Sequence, residues 1–177
     1  MKKIGLILVV FAFLVYCAST GQSQEVSPDV GDNAPDFSIV DVSGNEIRLG
    51  DFKEKKNVVL VFYADSTCRM AHGRLGELQK GISEIEKLNA EVIAISTRGN
   101  QDDVKISRMV QKITFTLIPK PNRKVVEDFG LKYDSNGAAH ALIIIGKKGH
   151  IRFKSVDEHY SWTSASRIIK ELQGIQL

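Results

Sequence analysis

Three short runs of nearly uninterrupted apolar residues constrain the fold of this 177-residue chain more than any other feature. They are VVLVFY at 58–63, EVIAIS at 91–96 and ALIII at 141–145. A strand with one side in solvent alternates apolar and polar residues, whereas a run without alternation is typical of a strand covered on both faces. We therefore predict that these three runs are the inner strands of one central sheet.

Helical patterns separate these runs. From Gly73 onward, apolar residues recur at three- and four-residue spacing and predict one helix that ends near Asn89. Glycine stops and polar N-caps mark the ends of the other helices. Those helices are predicted at residues 102–112, at residues 123–129 with Gly130 as the stop, and from the N-cap Thr163 to Leu172.

Two predicted hairpins complete the pattern. One covers residues 37–49 with its turn at 43–45, and the other covers residues 141–156 with its turn at 147–149. Strands that alternate with helices predict a mostly parallel sheet with helices on both faces, to which the late hairpin adds antiparallel strands. The predicted fold class is therefore α/β, a three-layer α/β/α sandwich with an N-terminal β-hairpin.

The first residues have the pattern of an export signal. Lys2 and Lys3 precede an apolar run of about thirteen residues at 4–16, which is short for a membrane span and suits a signal peptide better than a retained anchor. The predicted organisation is a signal peptide at 1–20, a polar tether at 21–29 and one folded domain at 30–177.

Two processing routes fit this signal. The sequence LVYC at 14–17 resembles a bacterial lipobox, in which Cys17 is lipidated and attaches the protein to a membrane. The small residues at 18–21 suit an ordinary signal peptidase equally well. Both routes predict an exported protein, either periplasmic or a membrane-anchored lipoprotein.

Cysteine count and charge narrow the possible chemistry. The chain has two cysteines, Cys17 and Cys68, so that cleavage or acylation of Cys17 leaves one thiol and no internal disulfide in the mature domain. The formal net charge is +3, and basic residues alternate with acidic ones. Because no basic stripe is present, we expect no nucleic-acid partner.

Several segments together resemble a known family. They are GDNAPDF at 31–37, VVLVFY at 58–63, LGELQKGISEIEKLNAEVIAIS at 75–96, VVEDFGL at 125–131 and ALIIIGKKGHIRF at 141–153. Over roughly residues 30 to 172 the chain resembles the thioredoxin-like redoxins of the peroxiredoxin group, which comprises alkyl hydroperoxide reductase and thiol-specific antioxidant (AhpC/TSA). The resemblance implies a thioredoxin-like fold and thiol chemistry at the N-terminus of the helix after the first central strand.

Cys68 lies in that turn. Unpaired backbone N–H groups and the positive end of the helix dipole both favour a thiolate there. Thioredoxin-like members of the group have two cysteines separated by two residues, and this sequence has Cys68-Arg69-Met70-Ala71. The resemblance thus matches Cys68 to the attacking cysteine and Ala71 to the resolving one.

A second alignment with the group stays open. Peroxiredoxins proper have Thr-x-x-Cys over the same four positions, which places Cys68 at the threonine and Ala71 at the peroxide-reacting cysteine. The peroxidase site is then missing, unless a local shift lets Thr67 and Cys68 take over its role.

His140 occupies the place where the family has a cis-proline facing the active thiol. An imidazole there can pair with the thiolate of Cys68, as cysteine–histidine couples do elsewhere. The alternative is a solvent-exposed loop histidine. His72 lies four residues after Cys68, and these three residues together are a conceivable metal site; we expect His72 to be an ordinary polar residue of the first helical turn, with no metal and no cofactor bound.

The sequence thus predicts an exported single-cysteine thiol redoxin with Cys68, His140 and Thr67 as its candidate site. Its substrate is a peroxide or a disulfide. Because no internal partner exists, an external thiol or thioredoxin-like reductant must complete the reaction. The alternative is a non-catalytic binding module of thioredoxin fold whose active site has decayed.

Overall fold

The computed structural model describes residues 27–64, 69–121, 123–134, 137–138, 140–157 and 164–175. The strands within these ranges are β1 (Ser38–Val40), β2 (Glu46–Arg48), β3 (Asn57–Tyr63), β4 (Ala90–Ser96), β5 (Thr116–Pro119), β6 (Tyr133–Asp134), β7 (Gly137–Ala138), β8 (His140–Ile145) and β9 (Ile151–Asp157). The helices are α1 (Arg69–Lys80), α2 (Ile82–Lys87), α3 (Gln101–Gln111), α4 (Arg123–Asp128) and α5 (Ala165–Ile175), with a 3₁₀ helix at Leu49–Phe52.

The three apolar runs form the middle of a five-stranded sheet with the order β5-β4-β3-β8-β9. Strands β3, β4 and β5 are parallel, whereas β8 runs antiparallel to β3 and β9 antiparallel to β8. Every residue of β3 and β8 is buried. The prediction that these runs are inner strands is therefore confirmed.

Alternate residues of β3 face opposite sides of this sheet. Val59 and Tyr63 pack with residues of α1, α2, α3 and α5, and we call this side the α1 face. Val58 and Phe62 pack with α4 and with the β1–β2 hairpin on the other side. Because elements cover both sides of the sheet, the predicted three-layer sandwich with an N-terminal hairpin is confirmed.

One predicted helix is divided in two. The apolar stripe continues from Leu75 and Leu78 of α1 to Ile85 of α2, and all three side chains lie in one core, but Gly81 interrupts the helix between them. A Cβ atom on Gly81 would lie 2.3 Å from the Cβ of Ala165 at the start of α5. The break therefore occurs where α5 approaches the backbone closely, a tertiary contact that periodicity does not reveal.

The last helix begins differently from the prediction. The predicted cap, Thr163, lies outside the described residues. The hydroxyl of Ser164 accepts a hydrogen bond from the backbone N–H of Arg167 at 3.3 Å, so that Ser164 caps α5. The helix also extends past Leu172 to Ile175, and the short β6–β7 hairpin was not predicted.

A charged side chain in β9 fastens the first described residues to the domain. Lys154 Nζ donates hydrogen bonds to Ser27 Oγ at 2.8 Å, to the Pro28 carbonyl at 2.6 Å and to the Phe129 carbonyl at 3.0 Å. Partial burial lowers the pKa of Lys154, while the charges of Asp29 and Asp32 act in the opposite direction. The position at which the chain enters the domain is thereby fixed beside the end of α4.

No helix within the described ranges has both the length and the apolar character that crossing a bilayer requires. The predicted signal peptide at 1–20 lies outside those ranges.

Candidate active site

The candidate site lies where β3 leads into α1. Strand β3 ends at Tyr63, and α1 begins at Arg69, directly after Cys68 in the sequence. Thr67 and Cys68 are outside the described residues, and the side chains of residues 69–72 are not described either. The structure therefore places the elements on either side of the cysteine and the strands next to them.

His140 is the one predicted site residue that the structure describes. It is the first residue of β8 and only 7% exposed, so that the alternative of a solvent-exposed loop histidine is wrong. The antiparallel register pairs Phe62 with Ala141, and His140 is therefore the neighbour of Tyr63 at the carboxyl end of β3. Since side chains alternate along a strand, His140 shares the α1 face with Leu142.

Three polar side chains on the α1 face lie in a row across this end of the sheet. We call Ser96, Tyr63 and His140 the polar row; they end or begin β4, β3 and β8, and all are buried. Ser96 is the register partner of Tyr63, and its hydroxyl accepts a hydrogen bond from the Gly99 N–H at 2.9 Å. Helix α1 packs on the same face, so that the polar row lies on the side of the sheet that α1 covers.

Sequence reasoning identified His140 but missed Tyr63 and Ser96. The available signal was that each is a polar residue closing an otherwise apolar run, VVLVFY or EVIAIS. The carboxyl ends of parallel strands meet at one edge of a sheet, and the register of β3 and β4 in the structure then sets those two residues side by side.

The sequence matches a known protein family over most of its length. The model of the AhpC/TSA family matches residues 30–154. The chain belongs to the AhpC/TSA family. It is 29% identical over 160 residues to the chloroplastic 2-Cys peroxiredoxin BAS1 of Spinacia oleracea, a match that covers 84% of this chain and 60% of that protein. It is 28% identical over 146 residues to alkyl hydroperoxide reductase E of Mycobacterium bovis, covering 77% of this chain and 95% of that protein.

Solved structures agree on the fold of this AhpC/TSA protein. Peroxidoxin BcpB from Mycobacterium tuberculosis superimposes with a TM-score of 0.74 at 18% identity, covering 84% of this chain and 98% of that one. Reduced 2-Cys peroxiredoxin from Plasmodium vivax gives a TM-score of 0.73 at 22% identity, covering 83% and 96%. The thioredoxin-like fold and the family resemblance are thus confirmed, while the replacements inferred at Ala71 and His140 remain predictions from the sequence.

Tyr63 has an unusual environment within the AhpC/TSA domain. Its side chain is 2% exposed, and its hydroxyl makes no hydrogen bond of standard geometry with any residue that the structure describes. Burial raises the pKa of Tyr63 well above its usual range, and the nearby Ser96 hydroxyl opposes this only weakly. Burial therefore favours the protonated phenol of Tyr63, which keeps an O–H donor at this edge of the sheet.

Replacing Tyr63 with phenylalanine is expected to leave the free energy of unfolding unchanged or to raise it by up to about 1 kcal/mol. The reason is that a buried hydroxyl without a hydrogen bond of standard geometry to a described residue adds little stability, and phenylalanine fills the same space. Urea denaturation at neutral pH measures the change. Ser96→Ala is the matched control and should lose about 1 kcal/mol, because it leaves the Gly99 N–H without its acceptor. A comparable loss in Tyr63→Phe would contradict this expectation and show that the hydroxyl contributes a stabilising hydrogen bond.

Metal ligation has no support from the part of the chain that the structure describes, which contains no cluster of three or more histidine, cysteine, aspartate or glutamate side chains. Of the three residues considered from sequence, the side chains of Cys68 and His72 are outside that part. The expectation of a metal-free and cofactor-free site stays a prediction.

Proposed function

We propose that this AhpC/TSA protein is an exported thiol redoxin in which Cys68 reacts with a peroxide or a disulfide and an external thiol completes the reaction. The observation that carries the proposal is the position of Cys68 immediately before α1 in a chain of this family. A helix of twelve residues directs its unpaired N–H groups and the positive end of its dipole toward the preceding residue. None of the comparisons favours the non-catalytic alternative.

With a peroxide, the thiolate of Cys68 attacks one peroxide oxygen. A sulfur–oxygen bond forms, the oxygen–oxygen bond breaks, and the departing alkoxide or hydroxide takes up a proton. Cys68 becomes a sulfenic acid, and the peroxide is reduced to an alcohol or water. An external thiol then forms a mixed disulfide with release of water, and a second external thiol restores the thiolate.

With a disulfide substrate, the Cys68 thiolate attacks one sulfur, forms a mixed disulfide and releases the other sulfur as a thiolate. An external thiol must again attack this mixed disulfide, because Cys68 is the one free thiol of the chain once Cys17 is cleaved off or acylated. Both substrates therefore require the same kind of reductant, a small-molecule thiol or a thioredoxin-like protein.

We assign His140 the role of stabilising the thiolate. Its place beside Tyr63 puts an imidazole at the carboxyl end of β3, the strand that leads to Cys68. A protonated imidazole near a thiolate lowers the pKa of the thiol. Because His140 belongs to β8 and not to α1, its role can be tested separately from that of the helix N-terminus.

The pH dependence of Cys68 alkylation tests the proposal. In a Cys17→Ser background, where Cys68 is the sole thiol, we expect a titration midpoint well below the ~8.5 of an ordinary cysteine. His140→Gln should raise that midpoint by about one pH unit, because one charge that favours the thiolate is lost. His150→Gln, in the turn between β8 and β9 at the opposite end of the sheet, is the matched control and should leave the midpoint unchanged.

One outcome of this titration contradicts the proposal. A midpoint at or above that of a free cysteine, unaffected by His140→Gln, means that the turn does not activate the thiol, and the binding-module alternative is then the better description.

Export is supported by the N-terminal residues alone, with Lys2 and Lys3 followed by the apolar run at 4–16. Intact mass of the protein from its native host tests this part. A retained Met1 contradicts export, whereas a diacylglyceryl mass on Cys17 selects attachment to a membrane.

A further inference from the structure

A cleft lies at the opposite end of β3 from the polar row. Its volume is about 570 Å³, and its walls come from the start of β3, the end of α2, the turn between β8 and β9, and the end of α5. Because β3 has seven residues, the cleft and the polar row are separated by roughly 20 Å along the strand. Whatever binds there is therefore independent of the thiol chemistry proposed for Cys68.

The lining of this cleft is strongly basic. Five of its side chains are basic, and none is acidic; the five are Lys87, Lys147, Lys148, His150 and Arg152. The chain as a whole is nearly balanced, with 24 lysines and arginines against 21 aspartates and glutamates. A cleft with basic groups alone is therefore a local concentration of positive charge and not a reflection of composition.

Acidic side chains in the part of the chain that the structure describes do not neutralise these charges. Among the described residues, none of the four lysine and arginine side chains forms an ion pair. Glu91, at the start of β4, pairs instead with Lys56, which is not a lining residue, at 2.9 Å. The positive groups of the cleft are thus available to a ligand.

The wall that carries Lys147 and Lys148 is held in place by its own hydrogen bonds. The buried side chain of Asn57 accepts a hydrogen bond through Oδ1 from the Lys147 N–H at 3.2 Å. Gly149 adopts φ +84°, a conformation that favours glycine, and its N–H donates to the Gly146 carbonyl at 2.8 Å. Such a fixed turn reduces the backbone part of the conformational cost of binding.

We propose that this cleft binds a phosphate-bearing anion. Several convergent cationic groups favour a ligand with two or more negative charges, and phosphate oxygens accept charge-assisted hydrogen bonds from lysine and arginine. The volume lies within the range typical of small-molecule sites, and Leu88 and Ile175 offer apolar contact to the group that carries the phosphate. The phosphate can belong to a soluble phosphorylated compound or to the headgroup of an anionic lipid.

Binding of inorganic pyrophosphate to the full chain, measured by isothermal titration calorimetry, tests the soluble source. We expect saturable binding that Arg152→Gln weakens by about 10- to 100-fold, because one charge-assisted hydrogen bond is lost. The charge reversal Lys148→Glu is a second variant in an exposed turn and should weaken binding at least as much. Lys105→Gln, which removes an equal charge from the exposed side of α3, is the matched control and should bind as the parent does.

Vesicles of phosphatidylcholine with and without phosphatidylglycerol test the lipid source. The N-terminal apolar run is present in all variants, so that differences between them report on the cleft alone. Cleft-dependent binding to the anionic vesicles, with no binding of pyrophosphate, identifies a lipid headgroup as the source. The proposal is overturned if neither pyrophosphate nor the anionic vesicles bind at up to about 1 mM phosphate. It is also overturned if they bind and Arg152→Gln and Lys148→Glu leave the binding unchanged.

Discussion

Replacing Ala71 with cysteine is expected to give the protein a dithiol-dependent disulfide reductase activity that exceeds that of the parent by about tenfold or more. The variant places a second thiol three positions after Cys68 and so restores two cysteines separated by two residues across the start of α1. Attack on the mixed disulfide then becomes intramolecular and no longer waits for an external thiol. The family resemblance implies that His140 occupies the place of a proline that faces the active thiol, and we therefore expect the gain to be partial.

The parent protein should behave differently with the same reagents. Peroxide should oxidise Cys68 to a sulfenic or sulfinic acid without closing an intrachain disulfide, and a disulfide substrate should leave a trapped mixed disulfide. Intact mass spectrometry separates these products, and an insulin-type reduction assay measures turnover. Cys68→Ser is the control. If Ala71→Cys gains nothing and the parent reacts no faster than Cys68→Ser, the turn is not a working redox site.

The second large effect concerns packing. Gly81→Ala is expected to lower the free energy of unfolding by about 1–3 kcal/mol, because the new methyl group would lie 2.3 Å from the Cβ of Ala165 and must force α5 away from the break between α1 and α2. The backbone of Gly81 has φ −99° and ψ 3°, which alanine can adopt. Without the contact, the substitution would stabilise the protein, because alanine restricts the unfolded chain more than glycine does. The sign of the change in the free energy of unfolding therefore shows whether the contact exists.

Ala165→Gly supplies the control for this contact. In the double variant the methyl group of residue 81 takes the space that the methyl group of Ala165 vacates, so that most of the lost stability should return. Thermal denaturation of the four proteins in this cycle measures the coupling, at roughly 2–4 °C per kcal/mol for a domain of this size. Additive losses in the double variant would show that Gly81 is required for another reason.

The elements predicted from the sequence are those whose cause is local. Strands β3, β4 and β8 are predictable because burial on both faces favours apolar residues at nearly every position. The division between α1 and α2 is not predictable from the sequence, because the apolar stripe continues across it. The close approach of Ala165 that causes it comes from a segment more than eighty residues away. Two adjacent hydroxyl residues, Thr163 and Ser164, are both suited to cap α5, and the sequence alone does not show which of them does so.

The candidate site was predictable in part for the same reason. Cys68 is identified from sequence as a cysteine in the turn between a strand and a helix, and His140 through its place in the family resemblance. Tyr63 and Ser96 are recognised as neighbours at the site only from the parallel register of β3 and β4 in the structure. The basic cleft can be recognised only in the structure, because its lysines and arginine come from α2, a turn and β9.

The position of β8 between β3 and β9 determines the order in which the sheet can be completed during synthesis. Strands β3, β4 and β5 are made first, yet β3 pairs on its other side with β8, so that Val58 meets Ile145 only after most of the chain has emerged. Until then β3 has an open edge composed of consecutive apolar residues, and such an edge pairs readily with other chains. Nascent chains that end between Pro119 and His140 are therefore those in most need of a chaperone.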